Sequence, residues 1–205
     1  MKPSSRRSYT MRARAEAVEA TRDRIARAAM ARFLAQLYDD VTIAAVAADA
    51  GVSAQTVLNH FESKEGLFSA AAAIFSADLA GAREQAPPHD AAGAVASLVA
   101  QFEASGDGNV RLAVLDERIP AVRAALEKGR ASHQELLARV FGDRLPGGAA
   151  ERRRALAALH AATDVYTWKL LRRDLALGRA ATQQVMTQMV EAIASTWNTD
   201  DGDDA

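Results

Sequence analysis

The chain has 205 residues, a formal net charge of −1 and no cysteine. The missing thiols exclude disulfides, thiolate catalysis and cysteine metal sites, and they fit a reducing cytoplasm. No apolar run reaches the roughly 20 residues that span a bilayer, and no apolar core follows the basic N-terminus as in a secretory signal. We therefore expect a protein of the cytoplasm. Because strict apolar–polar alternation is absent as well, we expect an all-α fold.

Charge is distributed unevenly along the chain. Nine basic residues lie at the start: Lys2, Arg6, Arg7, Arg12, Arg14, Arg22, Arg24, Arg27 and Arg32. An acidic tail, residues 199–205, ends the chain. A basic end predicts contact with phosphate. Residues 1–20 are predicted to form a flexible basic arm, which either lies in a minor groove or along the phosphates of DNA or is a solvated leader. Alternatively, residues 12–20 could extend the first helix backward.

Three helices are predicted within residues 21–68. Thr21 is the predicted N-cap of the first, whose apolar positions recur every four residues at Ile25, Ala29, Phe33 and Leu37. Thr42 is a suitable N-cap for the second. A turn at residues 50–52 follows, in which Gly51 accepts a positive φ.

Ser53 is the predicted N-cap of the third helix, and Val57 and Phe61 give that helix one apolar face. Polar side chains occupy its other face: Gln55, Thr56, Asn59 and His60. Two short helices joined by a tight turn form a helix-turn-helix, whose second helix enters the major groove of DNA.

At these residues the chain resembles the TetR family of transcriptional regulators. The resemblance lies in TIAAVAADAGVSAQTVLNHFESKEGLF and in the preceding TRDRIARAAMARFLAQL. Its specific part is Gly51-Val52-Ser53, Thr56-Val57, His60-Phe61 and Ser63-Lys64-Glu65 at this spacing. The resemblance implies a three-helix DNA-binding head and a helical body that binds a ligand and dimerises.

The predicted DNA interface comprises Thr42, Ser53, Ala54, Gln55, Thr56, Asn59, His60 and Lys64. The amides of Gln55 and Asn59 can pair with adenine, although each could instead contact phosphate alone. The resemblance implies a phosphate contact for Lys64 and a supporting role for His60. Leu58 stands where the family usually has a phosphate-binding tyrosine, and Ala44 where some members have a base-reading side chain. We therefore expect the operator to be recognised mainly by the second helix of the motif, or through the shape of the DNA.

Ser63 caps a predicted linking helix that continues to about residue 86, where Pro87-Pro88 marks a domain boundary. The effector-binding and dimerisation body is predicted over residues 87–198. Breakers divide it into helices at about 90–104, 109–118, 120–141, 149–177 and 181–197, the first closing at Gly106-Asp107-Gly108.

The last two helices carry more apolar surface than one packing side requires. One row contains Leu156, Leu159, Thr163, Tyr166 and Leu170, and a second contains Trp168, Leu171 and Leu175. On the final helix the rows are Val185, Met189 and Ile193 beside Met186, Val190 and Trp197. Burial on two sides predicts a homodimer through these helices, as the resemblance implies, and the alternative is a monomeric body.

The resemblance also implies a ligand cavity among the middle helices. The candidate lining residues are Phe102, Arg111, Leu115, His133, Leu137 and Trp168. No cofactor and no metal site are predicted, because none of His60, His89, His133 and His160 lies three or four residues from another.

We therefore predict a homodimeric, ligand-responsive transcriptional regulator, most simply a repressor, that binds a palindromic operator and is released by a small molecule. The alternatives are an effector-independent DNA-binding protein and an enzyme with its active site in the body. The sequence contains no G-x-S-x-G elbow and no Gly-rich phosphate loop, so a non-enzyme is expected. Abundant alanine and arginine suggest a GC-rich bacterial genome.

Overall fold

The computed structural model describes residues 4–84, 87 and 89–197 of the chain. Every regular element among these residues is helical, which confirms the predicted all-α fold. The acidic tail and the end of the linking helix at residues 85–86 lie outside the described residues. No described helix combines the length and apolarity needed to cross a membrane.

The described residues form nine α-helices. Their bounds are α1 Ser4–Ala35, α2 Ile43–Asp49, α3 Ala54–Phe61, α4 Lys64–Glu84, α5 Ala91–Ala113, α6 Pro120–Phe141, α7 Ala149–Thr163, α8 Val165–Lys169 and α9 Arg179–Ser195. A π-helical turn, Leu170–Asp174, separates the last two.

Helix α1 begins at Ser4, so residues 4–20 are helical and do not form the predicted flexible arm; the alternative, that residues 12–20 extend the first helix backward, agrees with the structure. Thr21 is not an N-cap: its hydroxyl donates to the Ala17 carbonyl oxygen at 2.9 Å, one turn earlier in the same helix. The segment is rich in alanine, arginine and glutamate, which favour helix, and Arg12 pairs with Glu16 at 3.0 Å. Residues 11–20 are all exposed, so local propensity rather than packing accounts for this extension.

The head, residues 21–68, has an aromatic centre. The Phe33 and Tyr38 rings stack at a centroid distance of 5.2 Å, and Phe68 of α4 meets Phe33 edge-on at 5.1 Å. Ile25 and Ala29 are fully buried beside them. Leu37, the fourth position of the predicted stripe, is exposed because α1 has ended at Ala35.

The core of the head continues into the body. Leu112, Ile119 and Val122 complete the same buried cluster as the head residues. The Arg118 guanidinium donates to the Asp39 carboxylate at 2.7 Å, and Arg111 donates to the Leu34 carbonyl oxygen. The head therefore rests directly on the α5–α6 corner, and the chain's two cores do not divide at Pro87.

Helix α5 runs through Gly106-Asp107-Gly108, where the sequence predicted its end. These glycines permit close packing. A Cβ at Gly106 would lie 2.4 Å from the Trp168 ring, and one at Gly108 would lie 2.5 Å from the Leu34 carbonyl oxygen. The predicted separate helix at 109–118 is consequently the last turns of α5 and an irregular turn.

The predicted long helix at 149–177 is also interrupted. Asp164 adopts an extended conformation with ψ 155°, and its carboxylate accepts a hydrogen bond from the Tyr166 amide at 2.8 Å. Asp164 thus acts as the N-cap of α8. The boundaries of α6, in contrast, match the prediction at both ends, with Pro120 in the first turn.

Apolar residues of the last helices are divided between core and surface. Leu159, Trp168, Met186 and Val190 are fully buried in a second core, together with Phe102 and Phe141. Four residues remain exposed to solvent: Tyr166, Leu170, Leu175 and Met189. Each predicted row therefore contains both buried and exposed residues. The break at Asp164 and the π-helical turn change the helical phase, so residues that one continuous helix would align do not share a face.

Candidate nucleic-acid interface and effector cavity

Helix α3 is fixed to the head by its apolar face and capped at its start. Val57 and Phe61 are buried in the head core. The Ser53 hydroxyl oxygen accepts a hydrogen bond from the Thr56 amide at 3.0 Å and lies 2.8 Å from the Thr56 hydroxyl. Gly51 has φ +63°, so the turn has the geometry that the sequence predicted. These constraints leave the opposite face of α3 directed away from the core.

The two predicted base-reading residues lie on this exposed face and contact each other. The Gln55 side-chain amide donates to the Asn59 side-chain oxygen at 2.9 Å. Both residues and Ala54 are exposed, whereas Thr56 and His60 are half-buried. Each amide retains further donor or acceptor capacity, because a primary amide offers two donors and two acceptor sites. The pair therefore forms one polar unit at the centre of the face.

Lys64 begins α4 beside this face. Its ammonium donates to the Asp39 carbonyl oxygen at 3.0 Å and lies 4.7 Å from the Tyr38 ring centroid. Burial lowers the pKa of Lys64, against the opposing effect of Asp39 and Asp40. Thr42, the other predicted contact near a helix start, caps α2 by accepting from the Ala45 amide at 3.1 Å. Both side chains are thus held by the head itself.

Several arginines near the interface stabilise the head. Arg22 lies over the Phe61 ring at 4.9 Å, and the Arg24 Nε donates to the Ala50 carbonyl oxygen at 2.9 Å. Arg32 forms a two-bond contact with Asp49, at 2.5 and 2.9 Å. These residues orient α1 against the helix-turn-helix, a role that the sequence analysis did not assign to them.

A cavity of about 250 Å³, partly open to solvent, lies in the body between α4, α5, α6 and the break between α7 and α8. One wall consists of six residues of α4: Phe68, Ala72, Phe75, Ser76, Leu79 and Arg83. Helix α4, which directly follows α3, therefore forms one side of the cavity.

Two of the six predicted lining residues, Phe102 and His133, line this cavity. The other four do not. Arg111 binds the Leu34 carbonyl oxygen, Leu115 packs on the head core, and Leu137 and Trp168 are buried in the second core. These four lie away from the cavity because helical periodicity identifies an inward face without showing which inward positions border a void.

Arg83 is the principal polar group in the cavity wall that the sequence analysis missed. Its side chain is buried, with 9% of the residue exposed. The guanidinium donates to Ser132 Oγ and to Gln101 Oε1, each at 3.2 Å. Burial lowers the pKa of Arg83. The sequence carried no signal for this position beyond a basic residue near the end of an amphipathic helix.

Two histidines and one aspartate meet at the far side of the cavity. The rings of His133 and His160 lie 4.4 Å apart, and His160 Nε2 lies 3.4 Å from an Asp164 oxygen. The Thr163 hydroxyl donates to the Leu159 carbonyl oxygen at 2.7 Å and therefore accepts from His133 Nε2 at 2.9 Å. Burial, then His160 and Arg83, lower the pKa of His133 to about 3.

Ligand atoms of these three residues lie within 4.8 Å of one another, so the trio could coordinate a divalent cation. The spacing between histidines, on which the prediction of no metal site rests, does not reveal this trio. Its local pair is His160 and Asp164, four residues apart, and His133 from another helix completes it.

The comparisons with known proteins agree with this geometry. Residues 25–71 match the profile of bacterial regulatory proteins of the tetR family. The crystal structure of a transcriptional regulator from Mesorhizobium loti, assigned to the TetR family, is 19% identical to this chain, with a TM-score of 0.69 over 87% of this chain and 97% of that one. A transcriptional regulator from Rhodococcus sp. Rha1 has 19% identity and a TM-score of 0.69, over 85% and 96%.

A tetR-family transcriptional regulator from Streptomyces coelicolor shares the fold as well, with 20% identity and a TM-score of 0.65 over 85% of this chain and 81% of that one. No curated protein sequence matches the chain significantly. The matched helix-turn-helix and the shared helical fold define a class of DNA-binding proteins. Residues 25–71 form a DNA-binding region of the TetR family of transcriptional regulators, and the chain as a whole shares the fold of such regulators.

Proposed function

We propose that this protein is a homodimeric repressor that binds a palindromic operator and is released when a small molecule occupies the body cavity. The observation that supports this most directly is the double role of α4. Only Glu62 and Ser63 separate its first residue, Lys64, from the end of α3, the proposed recognition helix, and six residues of α4 form a cavity wall.

Ligand binding can reach the head through this helix. A ligand that packs against Phe75 and Leu79 displaces α4 relative to the α5–α6 corner, on which the head also rests through Arg118 and Asp39. Such a shift changes the position of α3. A tenfold loss of operator affinity requires about 1.4 kcal/mol of coupling between the two sites.

Exposed apolar residues on the last helices supply the proposed dimer surface. Tyr166, Leu170, Leu175 and Met189 are between 37% and 59% exposed in the single chain. Pairing with a second copy would remove these side chains from water. Two-fold symmetry then presents two α3 helices to successive major grooves, about 34–36 Å apart or somewhat more.

On DNA, Gln55 and Asn59 are proposed to read bases, with Thr56 shared between base and phosphate. Thr42, Ser53, Ala54, His60 and Lys64 are proposed to contact the backbone, since they surround the starts of α2, α3 and α4 or flank the exposed face. Backbone contacts position a protein on DNA, whereas base-edge contacts give it sequence preference.

The test is selection of random duplex DNA by the purified protein at two salt concentrations. We expect a palindrome whose preference at particular base pairs is relaxed in Asn59→Ala, at about 1–3 kcal/mol. Lys64→Ala should weaken binding to all sequences about equally and lower the salt slope by about one unit. Arg153→Ala, on the exposed surface of α7, is the matched charge control and should leave both quantities unchanged.

Recovery of no motif, together with binding that disappears at moderate salt, would refute the sequence-specific regulator. A change in sequence preference for Lys64→Ala and none for Asn59→Ala would refute the assignment of roles. Leu175→Glu tests the dimer separately: it should produce a monomer in sedimentation analysis, and a persisting dimer would place the interface elsewhere.

A further inference from the structure

We infer that the effector is a small organic acid, an apolar molecule with one carboxylate, and that Arg83 binds this carboxylate. This assignment rests on the proposed function, because it concerns the same cavity. It is carried by a buried cation that faces the void without a counter-ion.

The charge of Arg83 is unusual for its surroundings. A guanidinium remains protonated in proteins, so burial cannot neutralise it. Its described hydrogen-bond acceptors are neutral, Ser132 and Gln101, and it forms no ion pair with a described carboxylate. Buried charges in proteins are normally paired or bound to a ligand, because an uncompensated one is strongly unfavourable.

The neighbouring side chains orient the guanidinium without saturating it. Both of its bonds are at 3.2 Å, the long end of the normal range, and its Nε is buried without an acceptor among the described residues. Ser132 lies on α6 and Gln101 on α5, so two helices hold the group from different sides. A carboxylate binds such a fork through two parallel N–H···O bonds, which no neutral group reproduces.

Two carboxylates also line the cavity, Asp116 and Asp164, and neither pairs with Arg83 in the described part of the chain. That of Asp164 is engaged elsewhere. His160 lies 3.4 Å from it, and the Tyr166 amide donates to it at 2.8 Å. The positive charge of Arg83 acts across the cavity, where it helps to lower the pKa of His133 and so to keep that side chain neutral. An incoming anion would meet a favourable potential at Arg83.

The remaining wall defines the rest of the molecule. Phe75, Leu79, Phe102 and Leu126 present apolar surface to the void. A volume of about 250 Å³ lies just below the usual range of about 300–1,000 Å³ for pockets that hold drug-sized ligands. A short acyl or single-ring acid therefore fits this site better than a large one.

Position along α4 connects this contact to release. Arg83 is the penultimate residue of the helix, and its own carbonyl oxygen accepts a hydrogen bond from Arg139 at 2.6 Å. A carboxylate bound to Arg83 acts on the end of α4 opposite to Lys64. The anion would bind the end of the helix that lies farthest from the DNA.

The experiment compares acids with their uncharged amides on the full chain. The probes are straight-chain carboxylates of increasing length and benzoate, each beside the amide of the same shape. Calorimetric titration and thermal melting of the wild type should show at least one acid bound about tenfold or more tighter than its amide. This comparison requires no variant. If no acid in the series binds more tightly than its amide, the assignment is overturned.

Variants then locate the contact. Arg83→Gln should abolish the preference for acids, and Arg83→Lys, which keeps the charge, should retain part of it. The matched control is Arg130→Gln, which removes an exposed arginine at the same cavity. Loss of acid preference in Arg130→Gln with retention in Arg83→Gln would overturn the role of Arg83. Circular dichroism melts establish that each variant is folded.

Operator binding separates this inference from the proposed function. An acid that binds through Arg83 without weakening operator binding supports the ligand class and contradicts ligand-driven release. A neutral compound that releases the operator from the wild type, while acids neither bind nor release it, supports the regulator and overturns the acid.

Discussion

The head and the cavity region are built from similar helices but differ in how their interiors are filled. In the head, Ile25, Phe33 and Val57 are completely buried among apolar neighbours. Around the cavity, Arg83 and His133 are almost as buried, yet they are polar and border a void. The head has one well-packed arrangement, whereas the cavity region has unused volume and charge. A ligand can therefore change the free energy of the body far more than that of the head.

The largest expected effect contrasts two phenylalanines. Phe33→Ala should lower the free energy of unfolding by about 3–5 kcal/mol, because it empties the aromatic centre of the head. Phe75→Ala should cost clearly less, since Phe75 is half-buried and already faces the cavity. Urea unfolding of both variants measures the difference. Equal losses would show that the two regions are packed equally well.

A pair of helical glycines sharpens the comparison at the junction. Gly108→Ala should destabilise by roughly 1–3 kcal/mol, because its Cβ would lie 2.5 Å from the Leu34 carbonyl oxygen and 2.7 Å from the Leu34 Cα. Gly129→Ala is the matched control, since the new Cβ would have no atom within 4 Å apart from its chain neighbours and the backbone of its own helix, and it should stabilise α6 by about 0.5–1 kcal/mol. Thermal melts of both variants test this. A neutral Gly108→Ala would mean that the head can shift on α5.

Acid should act on the cavity region before the head. The pKa of His133 falls from 6.5 to about 3 in the folded chain, so between these values the unfolded state binds more protons. Stability attributable to His133 is therefore present above pH 6.5 and is lost as the pH falls, by roughly 2 kcal/mol at pH 5. Chemical denaturation at pH 7 and pH 5 measures this.

The control for that pH effect is His133→Gln, which cannot titrate. It should flatten the pH dependence between these values. Asp164 does not produce a similar effect in this pH range. Burial raises the pKa of its carboxyl, but hydrogen bonds from His160 and the Tyr166 amide outweigh burial and lower the pKa below its usual 3.8. An unchanged pH dependence in His133→Gln would assign the acid sensitivity to other groups.

The smallest expected effect concerns helix α3. Ser53→Ala removes the side-chain acceptor of the Thr56 amide and should cost about 1 kcal/mol. Ser69→Ala, at an exposed position within α4, should instead gain a few tenths of a kcal/mol. Differential scanning calorimetry resolves both changes. A loss in Ser69→Ala equal to that in Ser53→Ala would show that capping does not set the stability of α3.

Local signals predicted much of the fold. The caps at Thr42 and Ser53 and the positive φ of Gly51 depend on a few adjacent residues, and all three were predicted. Gly106 and Gly108 were read as helix breakers because nothing in their neighbourhood reveals the Trp168 ring and the Leu34 backbone that pack on them. Asp164 was read as a helical residue for a similar reason, since its capping role appears only where α7 ends.

The candidate sites differ in the same respect. The exposed face of α3 follows from the period of one helix, so its polar residues could be identified from sequence. The cavity is formed by four parts of the chain that are distant in sequence. Arg83 and His160 look like ordinary helix residues until α5, α6 and the α7–α8 break surround them. Periodicity predicts that a residue points inward, but only the tertiary arrangement leaves space beside it.

The hydrogen bond between Gln55 and Asn59 has a consequence for how an operator is found. While the protein moves along arbitrary DNA, the two amides can stay bonded to each other at little free-energy cost. If they read bases, they can do so with the N–H groups and oxygen lone pairs that the mutual bond leaves free. A matching site then meets two side chains that already restrain each other, so less side-chain entropy is lost on binding. A mismatched site offers these free groups no partners, and the protein can slide onward.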